Sequence, residues 1–202
     1  MRLHANTSAI IEFLPAELAA FSRAHPEVKI DLEEKISTEV IAAVREGLTD
    51  IGLYAGHVPA DGLTTFEWRR DRLVLVTPAE HRLAALDEIA LVQAIDEDFV
   101  GLQQDTSLHR LITAAADSVN RPLRMRIQVR SFEGICRMIA QHLGIGVLPE
   151  AAVTDHLEPL GLARIPLSDD WAWRDLRIAV RDVDALPVLA REMVTHLRKA
   201  AI

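Results

Sequence analysis

The sequence predicts an α/β fold built from repeated strand, turn and helix units. Three observations carry this. Arg124–Val129 alternates charge with Met125, Ile127 and Val129, the period of a half-buried strand. Ser131 then offers a helix N-cap, and Ile135, Met138, Ile139 and Leu143 recur at helical spacing before Gly144. Ile145–Leu148 is short and wholly apolar, a buried strand closed by Pro149. Such a unit has parallel strands and a right-handed crossover. Ligands of open α/β sheets bind beyond the carboxyl ends of the strands, which is where Arg130, Ser131 and Phe132 fall.

The other elements follow from the same signals. Arg2–Ala5 reads as a first strand, and Asn6, Thr7 and Ser8 suit a turn and N-cap. Ile10, Phe13, Leu14, Leu18 and Phe21 mark one face of a helix that Pro15 bends or opens. Val28, Ile30 and Leu32 alternate with charges in a second strand, which delivers Ser37-Thr38 and a helix carrying Val40, Ile41, Val44 and Leu48. Gly47 closes that helix, and Asp50–Tyr54 is a short buried strand. Leu63–Arg70 and Leu73–Thr77 read as two strands, and a short helix fits Leu91–Ile95. Phe99–Leu102 is a strand leading through Gln103–Ser107 into a helix with Leu108, Leu111, Ile112 and Ala115 inward. Helix at Glu150–His156, strands at Leu162–Leu167 and Leu176–Val180, and a final helix at Pro187–Ala201 complete the chain.

Composition narrows the function. With 22 basic and 30 acidic residues among 202, a net charge of −8 has the wrong sign for a chain that binds nucleic acid or an anionic membrane by bulk charge. One cysteine, Cys136, permits no internal disulfide and fits a reducing compartment; on the helix of Ile135 and Ile139 it reads as a buried, inert thiol. No apolar run reaches membrane-spanning length and no signal-peptide core opens the chain, so the expected location is cytoplasmic, with no membrane partner. G-x-S-x-G, the Walker loop and G-x-G-x-x-G are absent and no histidines share a metal-ligand spacing, so neither enzyme activity nor metal or other cofactor is expected. The acidic pairs Glu33-Glu34 and Asp169-Asp170 read as solvated loop charge, and Trp171 and Trp173 as packing beside a strand.

The hydroxyl-bearing turns are the positive signal. Thr7-Ser8, Ser37-Thr38, Thr106-Ser107 and Ser131 each follow a strand and open a helix, where N–H groups and helix dipoles favour an anion. Any one of them alone is accounted for as an N-cap.

The segments FLPAELAAFSRAHPEVKIDL, VREGLTDIGL, DRLVLVTPAEHRLA and IQVRSFEGICRMIAQHLGIGVLP, in that order, resemble the effector-binding (regulatory) domain of LysR-type transcriptional regulators. The resemblance implies a type 2 periplasmic-binding-protein-like fold: two Rossmann-like lobes joined by two crossing strands around a ligand cleft. The first lobe would be residues 1–75 plus 179–202, the second 76–178, with Leu73–Thr77 and Leu176–Val180 as hinge strands. It also implies effector contacts at Thr7, Ser8, Ser37, Thr106, Ser131 and Phe132; Thr38, Tyr54, Ser107 and Arg130 are further candidates. The implied partners are a small-molecule effector, an anion by the chemistry of the turns, and a second copy in a homodimer that pairs Ile10–Phe21 with Phe132–Leu143. DNA would be reached only through an N-terminal winged helix-turn-helix, which this chain lacks. A stand-alone solute-binding protein of a transporter shares the fold and is the alternative; an enzyme on this scaffold ranks last. Two positions depart from the family pattern, Arg82 in His81-Arg82-Leu83 and His142 before Leu143-Gly144-Ile145.

Overall fold

The computed structural model describes residues 1–199 and divides into two compact units, Met1–Arg70 with the chain from Arg174 onward, and Asp71–Trp173. In the first unit β1 (Arg2–Ala5) lies between β2 (Asp31–Glu34) and β3 (Ile51–Ala55), parallel to both, and β3 pairs antiparallel with β9 (Trp173–Val180). Helices α1 (Leu14–Ala24), α2 (Ser37–Glu46) and α7 (Val188–Lys199) belong to this unit. Its main core gathers Leu3, Leu14, Phe21, Ile51, Leu53, Trp68, Ile178 and Met193. The predicted last helix reaches Lys199; the stretch 200–201 lies outside the described residues.

In the second unit β4 (Thr64–Pro78) pairs antiparallel with β7 (Gly146–Pro149) and β8 (Leu162–Pro166), while β5 (Asp98–Leu102) pairs parallel with β6 (Arg124–Val129). A parallel bridge from Phe99 to Ile145 sets β5 between β6 and β7, so the predicted strand, helix and strand unit steps over a neighbouring strand. Its helices are α3 (Leu91–Ala94), α4 (Ser107–Ser118), α5 (Phe132–Ala140) and α6 (Glu150–Leu160).

Two expectations are corrected. The strands expected at 63–70 and 73–77 are one strand, β4, because the charged residues at its middle find partners: Arg72 donates to the Leu167 carbonyl at 3.1 Å and lies over the Trp173 ring. The compact units change over at 70/71 and 173/174, where the resemblance places the lobe boundaries at 75/76 and 178/179. Leu73–Val76 already belong to the core of the second unit, and Leu176, Ile178 and Val180 to that of the first. Finally, α5 stops at Ala140, short of Leu143. His142 adopts φ 58°, its N–H bonding to the Ile139 carbonyl and that of Leu143 to the Met138 carbonyl, a Schellman termination with histidine where glycine is usual.

Candidate functional site

In the first unit β1, β2 and β3 run parallel, with Ala5 opposite Glu34 and Leu53, so the turns that follow them open on one edge. Asn6 organises that edge. Its side-chain oxygen accepts from the Ala9 N–H at 3.0 Å, capping the helix that follows β1, and its Nδ2 donates to Ser37 Oγ at 3.3 Å. Ser37 Oγ also accepts the Ala55 N–H at 3.1 Å. Ser37 is fully buried and is not the cap of α2, whose N-cap position is Ile36; it ties together the ends of β1 and β3 at the start of α2.

The neighbouring hydroxyls differ in polarity. Thr7 donates to Glu34 Oε1 at 2.6 Å, whereas Ser8 accepts from Arg174 Nη2 at 3.3 Å. Thr7 is half-buried and Glu34 exposed; Ser8 and Arg174 are buried. The helix then widens into a π turn, Ala9–Phe13, in which the Leu14 N–H reaches the Ala9 carbonyl. Pro15, which has no N–H and would crowd the carbonyl four residues back, accounts for the widening. Thr38 is exposed on the first turn of α2, and Tyr54 is buried on β3, where desolvation pushes its phenol pKa up.

In the second unit β5 and β6 are parallel with Leu102 opposite Val129, so the 103–106 and 130–131 turns share an edge. Here the hydroxyls are caps. Thr106 Oγ1 accepts the His109 N–H at 3.2 Å and donates to the Gln103 carbonyl at 2.8 Å; Ser131 Oγ accepts the Gly134 N–H at 3.1 Å. Arg130 is exposed and its Nε donates to Gln103 Oε1 at 3.0 Å, joining the two turns. Ser107 is buried behind Thr106, and the Phe132 ring sits in the core, 2% exposed.

The parallel register thus groups Thr7, Ser8 and Ser37 in one unit and Thr106, Arg130 and Ser131 in the other. Sequence reasoning does not single out Glu34 or Arg174: Glu34 reads as part of a solvated pair, and nothing local marks Arg174 as the partner of a serine 166 positions away. Among the described residues no group of three or more His, Cys, Asp or Glu is arranged to hold a metal ion, and no helix is long and apolar enough to cross a membrane. Cys136 is buried, with its thiol pushed up to about 11 by desolvation.

The family model described as LysR substrate binding domain matches residues 1–202. The Bacillus subtilis HTH-type transcriptional regulator YwbI is 31% identical over 187 residues, 92% of this chain and 62% of its own length. The chain therefore spans less than two thirds of that relative. The regulatory domain of Synechocystis CcmR in complex with 2-PG superposes with TM-score 0.89 at 19% identity, covering 100% of this chain and 96% of that one. The BenM effector binding domain with its effector benzoate gives TM-score 0.84 at 21% identity, covering 98% and 90%.

Proposed function

The chain belongs to the LysR substrate binding domain family, and from that membership we propose that it senses a small-molecule effector carrying an anionic group, with Thr7, Ser8 and Ser37 as its contacts in the first unit; Thr106, Arg130 and Ser131 are the corresponding candidates of the second unit taken by itself. The observation that carries the reading is Ser37. A fully buried hydroxyl that accepts two N–H groups, from Asn6 and Ala55, gathers the carboxyl ends of parallel strands where α/β sheets place ligands. Its own proton remains available as a donor. Binding shifts the balance of conformations, and the rest of the regulator responds. The relatives are transcriptional regulators, which favours this over a transporter's solute-binding protein.

DNA contact in the whole protein is assigned to a separate domain, consistent with the net charge of −8 here. A homodimer through Ile10–Phe21 and the Phe132–Leu143 segment is part of the proposal, supported by Ile11, an apolar side chain 47% exposed; light scattering that finds only monomer at tens of micromolar, roughly the range of weak specific association, argues against it.

The test is a thermal-shift screen of small carboxylic and phosphorylated acids. A ligand at about 100 times its Kd adds roughly 2.7 kcal/mol, several degrees in Tm for a domain of this size. Ser37→Ala, referred to its own unliganded Tm, is expected to lose that shift. A shift that survives this substitution puts the site elsewhere.

A further inference from the structure

Resting on that reading, we propose that the effector also carries an ammonium group, held by Thr7 and Glu34, so that the ligand class is a small amino acid rather than a simple acid. Hydrogen-bond polarity points to this class. A hydroxyl has a single proton; Thr7 commits its proton to Glu34 at 2.6 Å and presents only lone pairs. Beside it stands the Glu34 carboxylate, exposed at the carboxyl end of β2. That corner of the turn is all acceptor and negatively charged. It repels a carboxylate and suits a cationic donor.

The next residue has the opposite sense. Ser8 Oγ accepts from the buried Arg174 guanidinium at 3.3 Å, leaving the hydroxyl proton to be donated beside the first amides of a helix. Consecutive residues thus offer an acceptor with a negative charge and a hydroxyl donor beside the first amides of a helix, which matches the adjacent ammonium and carboxylate of an amino acid. The rival account, that Thr7–Glu34 only ties the turn to β2, predicts indifference to the amine.

The experiment uses matched triplets: L-alanine, L-lactate and propionate; L-glutamate, 2-hydroxyglutarate and glutarate; L-ornithine, 5-amino-2-hydroxypentanoate and 5-aminopentanoate. They are extended to the remaining proteinogenic amino acids and read by thermal shift and calorimetry on the whole chain. At least one amino acid is expected to stabilise the protein while its hydroxy and deamino counterparts do not. Glu34→Gln, which keeps an acceptor for Thr7 but removes the charge, is expected to weaken that ligand about tenfold or more. A hydroxy or deamino acid that binds as tightly as its amino acid, a Glu34→Gln variant that binds as well as wild type, or a panel without a stabilising amino acid overturns the inference. A shift lost in Ser37→Ala but indifferent to Glu34→Gln would leave the site reading standing and remove only the amine; a shift indifferent to both would remove the site.

Discussion

Asn6 and Ser37, 31 residues apart in the chain, share a buried hydrogen bond of 3.3 Å that fixes the end of β1 against the start of α2. Because Ser37 also accepts from Ala55, Ser37→Ala orphans two buried donors, at about 1–3 kcal/mol each. The loss is therefore expected to exceed that of the capping variant Ser131→Ala, about 1 kcal/mol. Urea unfolding of Ser37→Ala, Asn6→Ala and the double variant checks this. Strictly additive losses, or a Ser37→Ala loss no larger than that of Ser131→Ala, contradict the shared bond.

His142 holds φ 58° at the end of α5, a region costly for a side chain with a Cβ. It is retained beside Glu80, its Nε2 lying 3.1 Å from Glu80 Oε1 on the exposed surface. His142→Gly relieves the strain and loses only a solvated pair, so the variant is expected to gain up to about 1 kcal/mol. A lower unfolding midpoint than wild type would show that the pair with Glu80 outweighs the backbone strain.

Arg2, on β1, and Asp50, the residue before β3, join those two parallel strands of the first unit at the edge away from the turns. The Arg2 N–H and guanidinium each donate to Asp50 at 2.8 Å. Burial raises the Asp50 pKa, but the Arg2 hydrogen bonds and charge outweigh it and hold the carboxyl below its ordinary value. A depressed carboxyl contributes stability above the unfolded aspartate pKa, about 3.9, and loses it as pH falls through the folded value. Arg2→Ala is expected to be less stable than wild type at neutral pH, the two converging in acid. Parallel pH profiles of unfolding midpoint would dissociate the pair from acid unfolding.

How much of this was legible in the sequence depended on the range of the interaction. The alternation of Met125, Ile127 and Val129 marks β6, and Ser131 caps α5 as its position predicts, because strand period and N-cap bonds are local. Pro15 was legible as a disturbance but not as a π turn, since the sequence does not say whether a helix bends or widens around a missing N–H. The sequence pattern carries α5 past its true end because Leu143 keeps helical spacing while serving as the apolar residue after a Schellman turn. Ser37 looked like a cap and is a buried junction, since its partners Asn6 and Ala55 are distant in sequence. Glu34 was read as a solvated charge for the same reason: only the parallel pairing of β1 with β2 brings it to Thr7.

Cys136 supplies the last prediction. It is 0% exposed on the inner face of α5, among the buried side chains of the second unit, and desolvation pushes its thiol up to about 11. At neutral pH about one folded molecule in ten thousand then carries the thiolate, the form that reacts, and burial blocks access to it. The native chain is expected to resist iodoacetamide at pH 8 and to be labelled fully in denaturant. The same shift has a stability consequence whose sign is fixed by linkage. The folded thiol ionises at a higher pH than the unfolded one, so its contribution is complete below the unfolded pKa, about 8.5, and is lost as pH rises toward about 11. Cys136→Ala, which leaves a small cavity and lowers stability at pH 7, is therefore expected to lose less than wild type between pH 8.5 and pH 11. Rapid labelling of the native chain at pH 8, or wild-type and Cys136→Ala midpoints that fall in parallel over that alkaline range, would show that the thiol is not held protonated by the core.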